Sequence, residues 1–421
     1  MRNWLCGVAT VTALAAGAAG AAEITLSCGW QELELRLCVE GAATWATESG
    51  HQVTVLRAPE QSNQRYFTYL DLLGRGDPEI DVLQIDVIWP SAFAEQLVDL
   101  GEQVPAEERE QHFAALIANN TVGGRLVALP WFTDAGLLYY RSDLLAKYEL
   151  EVPRTWSELA DTALVIQQGE RAEGNPEFWG MVFQGQAYEG LTCNALEWIA
   201  ASGGGRIVDQ DGNVTVNNPA AALALGRAAA WVGTIAPPRV TQFVEEDARI
   251  TFQLGNAAFM RNWPYAWALL NDDDSELRGK VGVAPLPRGG PRGSHAATLG
   301  GWQLAVSRHS ENPEVAADLV RYLTSAAEQK RRALAGAYAP TIPALYQDQE
   351  VLAANPFFAE LATALPDAVA RPSAVTGQHY AQVSTLFWEA AHATLIGNGT
   401  ARDNLARLAD RLRLVGQRAG W

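Results

Sequence analysis

Fourteen tryptophans are spread along a chain of 421 residues, and several stand in loop-like text beside an ionisable side chain. Trp30 precedes Glu32, Trp89 follows Asp86, and Trp131 precedes Asp134. Trp263 and Tyr265 share the segment NWPYAW, and Trp302 follows Gly300 and Gly301. A flat aromatic ring offers its face to C–H-rich surface, while a carboxylate or guanidinium offers hydrogen bonds stronger than those of water. Carbohydrate needs both. Any one of these tryptophans alone is more often explained by core packing, since tryptophan is heavily buried on average. Their recurrence at the ends of strands is what points to a ligand. In open α/β sheets ligands bind beyond the carboxyl ends of the strands, where Asp86 after LQI and Glu32 after TLSCGW should lie.

Catalytic chemistry finds little support. The chain has no GxSxG elbow, no HExxH and no phosphate loop, and His51, His112, His295, His309, His379 and His392 form no ligand cluster. No catalytic residue, metal or cofactor is therefore expected. Carboxylates are plentiful, so a secreted glycoside hydrolase, which needs one protonated and one ionised carboxyl group, stands as the alternative of a different class. The formal net charge of −17 would repel nucleic acid and anionic membrane surfaces.

The elements that must position these residues begin after a leader. Met1 and Arg2, an apolar run from Trp4 to Ala16, and small residues ending at Gly20, Ala21 and Ala22 read as a cleaved secretory signal over 1–22. The mature chain should start near Glu23, in an oxidising compartment. Cys28 should end the first strand and Cys38 should lie two turns into the helix running back along it. Either a disulfide or two reduced core cysteines fits. Cys193 has no partner.

Glu23 to Ser27, His51 to Leu56 and Asp81 to Ile85 read as strands, separated by helices over Glu32 to Glu48 and Gln64 to Leu73. This βαβαβ order gives an α/β fold with a sheet flanked by helices. Thr155 and Glu158 form a capping box opening a helix to Gln168. VDQDGNVTV reads as a hairpin turning at Asp211 and Gly212, and Asn312 to Leu334 as one long helix. The 421 residues are too many for one compact core, so two domains are expected. Two proline-marked segments, Leu126 to Arg141 and Lys280 to Pro287, suit strands that leave one sheet for another domain. A pair of ordinary edge strands would read the same way.

The segments GWQELEL, QRYFTYLDLL, LQIDVIWP, ALPWFTDAGLLYYRSDLLAKY, FQLGNAAFMRNWPYAW, KVGVAPLPRG and ATLGGWQLAVS resemble the trehalose/maltose-binding proteins of ABC importers, in order over essentially the mature chain. The resemblance implies a two-lobed periplasmic binding protein fold (type II) with a ligand cleft between the lobes. It assigns 23–133 and 285–335 to one lobe, and 134–284 and 336–421 to the other. Matched position by position, it implies polar sugar contacts at Glu32, Arg65, Asp86 and Asp134, and aromatic contacts at Trp263, Tyr265 and Trp302. Gly301 would let the backbone approach the sugar, and Arg371 would add a contact from the last part of the chain. The expected function is capture of an α-linked glucose disaccharide by hinge closure, as a periplasmic monomer that delivers to membrane permease subunits. The same fold carrying another solute, such as a glucosylated osmolyte, is the nearer alternative.

Overall fold

The computed structural model describes residues 9–10, 21–290, 292–365 and 368–421. The expected leader therefore lies outside the described residues, apart from 9–10 and 21–22. The chain forms two compact units, Met1–Thr133 with Gly300–Pro356, and Asp134–Leu299 with Phe357–Trp421.

In the first unit the strand Glu23–Cys28 runs parallel between Gln52–Arg57 and Val82–Asp86. Leu299–Val306 pairs antiparallel with Val82–Asp86, Leu129–Ala135 lies beyond it, and Ala9–Thr10 pairs antiparallel with Gln52–Arg57. All five residues of Val82–Asp86 are buried, which suits a strand covered on both faces. The helix Glu32–Ser49 buries Glu34, Leu37, Cys38, Gly41, Ala42 and Trp45, one face at helical spacing. It ends at Gly50, whose φ of 75° is the left-handed cap that favours glycine. Cys28 and Cys38 are joined by a disulfide, which decides between the two alternatives open at the sequence level.

The second unit has a four-stranded sheet in the order Val281–Pro285, Leu137–Arg141, Ala257–Asn262 and Trp179–Val182. The first three run antiparallel, and the last pairs parallel with Ala257–Asn262. The helix Trp156–Ala172 packs on this sheet and opens with the expected capping box of Thr155 and Glu158, a device worth about 1 kcal/mol. Trp156, Trp198, Trp231 and Phe183 meet ring to ring in the core, so these tryptophans serve packing.

Three expectations are corrected. Lys280 to Pro287 is not where the chain changes unit: Val281–Pro285 pairs residue for residue with Leu137–Arg141 and is an edge strand of the second unit. The chain changes unit at 299/300, inside the strand Leu299–Val306, and changes back at 356/357. Hence 285–299 belongs with the second unit and 336–356 with the first, where Ala339 bridges Thr133. Asn312 to Leu334 is two helices, Pro313–Thr324 and Ala326–Gly336. Between them Ser325 is extended at ψ 158°, and its side chain accepts from the Glu328 amide to cap the second. A serine can leave the helix because its hydroxyl replaces the lost backbone acceptor. The segment VDQDGNVTV does form the expected hairpin: Val208 bridges Val214 antiparallel, the Asp209 amide donates to the Asn213 carbonyl at 2.9 Å, and Gly212 lies in the turn at φ 83°.

Candidate functional site

In the first unit four of the nine expected residues come together around the end of one strand. Asp86 is the last residue of Val82–Asp86, and its register partner is Trp302. The Asp86 carboxylate is nearly buried and accepts from the Ser62 hydroxyl at 3.1 Å and the Ile88 amide at 3.3 Å. Gly301 holds φ at 119°, and its carbonyl accepts from the Val87 amide at 3.0 Å. A side chain there would be strained, because that backbone region is open mainly to glycine. Trp302 is half-buried. Trp89 meets it edge-on at 5.6 Å, and the Arg65 guanidinium lies over its face at 4.1 Å.

Arg65 is fully buried and donates from Nε and Nη2 to the Pro59 carbonyl, while Nη1 has no hydrogen-bond partner among the described residues. Burial pulls its pKa down, and Tyr69, Glu34 and Asp86 work against that pull.

Glu32 is placed differently. Its side chain is 86 % exposed and pairs with Arg57 at 2.8 Å, a surface pair of small worth. The buried acid of that helix is Glu34, which accepts from Gln84 Nε2 at 2.7 Å, while Gln84 in turn accepts from the Gly29 amide at 2.8 Å. Two residues along a helix is a turn of about 200°, so only one of Glu32 and Glu34 can face inward. Glu34 shares the phase of Leu37, Cys38 and Gly41. That spacing was readable in the sequence.

In the second unit Trp263 and Tyr265 follow the strand Ala257–Asn262. The Trp263 indole lies 3.8 Å over the Arg261 guanidinium, and its Nε1 points to Glu245 at 3.4 Å. The Trp263 carbonyl accepts from the Tyr139 hydroxyl at 2.7 Å. The Tyr139 pKa is raised well above the ordinary phenol value, first by burial and then by the Asp134 charge. Asp134 itself is 8 % exposed. Tyr265 donates to Glu246 at 2.7 Å, and Tyr188 donates to Glu245 at 2.6 Å. Burial, then Glu246 and Glu245, raise the Tyr265 pKa well above 10, so it is a neutral donor. Glu245 and Glu246 open the helix Glu245–Gln253. Their spacing in sequence gave no sign that they would meet NWPY.

Arg371 is buried and donates to Glu189 Oε1 at 2.8 Å and to the Leu299 carbonyl at 3.3 Å. Glu189 also accepts from the Tyr380 and Ser384 hydroxyls. Each unit thus presents a half-buried indole backed by a buried guanidinium and bordered by carboxylates. The set can stack on a ring and accept hydrogen bonds from hydroxyls. Among the described residues, no group of three His, Cys, Asp or Glu side chains could hold a metal ion.

The family model described as bacterial extracellular solute-binding protein matches residues 40–330. A probable ABC transporter-binding protein of Deinococcus radiodurans is 50% identical over 413 residues, covering 98% of both chains. The solved structure of maltose-bound T. maritima MalE3 is 39% identical with a TM-score of 0.89, over 94% of this chain and 100% of that one. The GacH receptor of Streptomyces glaucescens, at 22% identity and a TM-score of 0.83 over 94% of this chain and 98% of that one, shares the fold. These matches, and the two α/β units assembled from alternating chain segments, agree on one architecture, that of the two-lobed periplasmic binding proteins. The chain belongs to the bacterial extracellular solute-binding protein family, the ligand-binding components of ABC transporters.

Proposed function

We propose that this protein captures an α-linked glucose disaccharide of the trehalose, maltose or sucrose type and delivers it to the permease subunits of an ABC importer. It acts as a monomer in the periplasm, after removal of a leader ending near residue 22. The observation that carries the sugar assignment is the similarity to maltose-bound MalE3 of T. maritima, 39% identical over nearly the whole chain. It is supported by the indoles of Trp263 and Trp302, each standing with ionised side chains. The proposed contacts are Arg65, Asp86, Gly301 and Trp302 from one unit, and Asp134, Trp263, Tyr265 and Arg371 from the other. Glu34 stands as a candidate beside Glu32. Calorimetry of the purified protein against trehalose, maltose, sucrose, a glucosylglycerol and mannitol tests the reading. Binding of mannitol alone, or of none, would reject it, and release of glucose would show a hydrolase.

Trp263→Ala should weaken binding of the preferred sugar by about 1–3 kcal/mol, the scale of losing a large aromatic contact. Asp86→Asn and Asp134→Asn should each cost about 1.5–3 kcal/mol of binding, the range for hydrogen bonds to charged groups. Titrations of the three variants decide it, since unchanged affinity in all of them would place the sugar elsewhere.

A sugar held by residues of both units favours the conformation in which all of them reach it. Solution scattering should therefore show a smaller radius of gyration with saturating sugar than without. An equal radius, with binding confirmed by calorimetry, would count against hinge closure.

A further inference from the structure

We infer that Arg261, held by Glu197, is a positioning residue that fixes the Trp263 indole in its sugar-stacking orientation before any ligand arrives. This rests on the sugar-binding reading above. Arg261 and Glu197 are both fully buried and are bonded to each other. Arg261 Nε and Nη2 donate to the two Glu197 oxygens at 2.9 and 2.5 Å, and Nη1 donates to Gln184 Oε1 at 3.2 Å. Gln184 Nε2 donates back to the Arg261 carbonyl at 3.1 Å, and the Thr298 amide donates to Glu197 Oε1 at 3.1 Å. These bonds lie at the guanidinium edge and use its donors, leaving its faces for packing. One face carries the Trp263 ring at 3.8 Å.

The backbone is shaped around this pair. A Cβ at Gly136 would stand 2.1 Å from Glu197 Oε1 and 2.7 Å from Arg261 Nη2, so the backbone between the strands Leu129–Ala135 and Leu137–Arg141 runs directly against the ions. An ion pair taken wholly out of water is a poor source of stability, because desolvation offsets most of its attraction. A planar cation clamped at its edge is, however, a flat and rigid support for an aromatic ring. The remaining restraints on Trp263 act in the same sense: its amide donates to Asn262 Oδ1 at 2.9 Å, and its carbonyl and Nε1 are held by Tyr139 and Glu245. A ring already immobile pays little ordering entropy when a sugar stacks on it. Lysine at 261 would keep the charge and lose the plane.

The test is Arg261→Lys in protein labelled with 5-fluorotryptophan, with the Trp263 resonance assigned from Trp263→Phe. In the free protein the Trp263 fluorine line should shift and broaden on Arg261→Lys, a readout that needs no ligand. Maltose or trehalose affinity should fall roughly three- to ten-fold. In a Trp263→Ala background Arg261→Lys should change affinity less than about two-fold, because the two act through one ring. An unaltered fluorine line overturns the inference, as does an equal affinity loss with and without Trp263. If no sugar binds the parent protein, the sugar reading fails and the fluorine line still decides whether Arg261 orders the ring. Should Arg261→Lys not fold, Glu197→Gln replaces it. It keeps the shape of the clamp and removes its charge, and the Trp263 fluorine line must shift and broaden in it or the inference falls.

Discussion

Glu189→Ala should destabilise the unit built from Asp134–Leu299 and Phe357–Trp421 by about 3–5 kcal/mol, the usual cost of removing one partner of a buried ion pair. Glu189 and Arg371 are 7 % and 6 % exposed and 2.8 Å apart. Without the carboxylate, Arg371 loses the buried anion it bonds at 2.8 Å, and the Tyr380 and Ser384 hydroxyls lose the acceptor they share. Burial, the larger cause of the raised Tyr380 pKa, remains when Glu189 is gone, so Tyr380 stays neutral and supplies no replacement negative charge. For a unit of this size the loss should lower the melting temperature by roughly 10 °C in calorimetry. Glu189→Gln, which keeps acceptor and shape, should cost less. A fall under about 2 °C for the alanine variant would mean that the pair is not a structural requirement.

Acidification should produce the second large effect, through His112. Its ring is buried, with Nδ1 2.7 Å from the Thr341 hydroxyl. Burial lowers its pKa to about 4 from an ordinary 6.5, with Glu108 opposing weakly. A histidine kept neutral by burial binds its proton more readily in the unfolded chain. Its contribution is therefore fully present above pH 6.5, falls as the pH drops from 6.5 towards 4, and is gone below. The gap between the two values corresponds to about 3 kcal/mol. Unfolding in urea across pH 7 to 4 should show a decline that is markedly flatter in His112→Gln. Parallel declines in parent and variant would assign the acid sensitivity to other groups.

Much of the fold follows from local pattern. The βαβαβ order of the first unit, the capping box at Thr155 and Glu158, the strand leading up to Asp86 and the glycine before Trp302 were all readable, because each depends on residues a few positions apart. The disulfide was half readable. Cys28 was expected to end the first strand and Cys38 to lie two turns into the helix running back along it, but only their packing decided that they bond. Where an expectation failed, the deciding interaction came from elsewhere in the chain or competed with a local preference. Val281–Pro285 reads like a departing strand until its full pairing with Leu137–Arg141 is seen. Ser325 chose a cap over helix continuation.

By itself the sequence determined the α/β class, the positions of the aromatic and acidic candidates, and the helical phase that would have preferred Glu34 to Glu32. Periodicity fixes which face of an element turns inward. Tertiary structure alone decided what each candidate touches. Glu189 and Arg371 are 182 residues apart, and Glu197 and Arg261 are 64 apart. Pairs so distant are brought together by the packing of whole helices on sheets, and no local spacing encodes them. A charged side chain becomes a buried support or a solvated surface group according to that packing: Arg261 lies under an indole, whereas Glu32 stands in water beside Arg57.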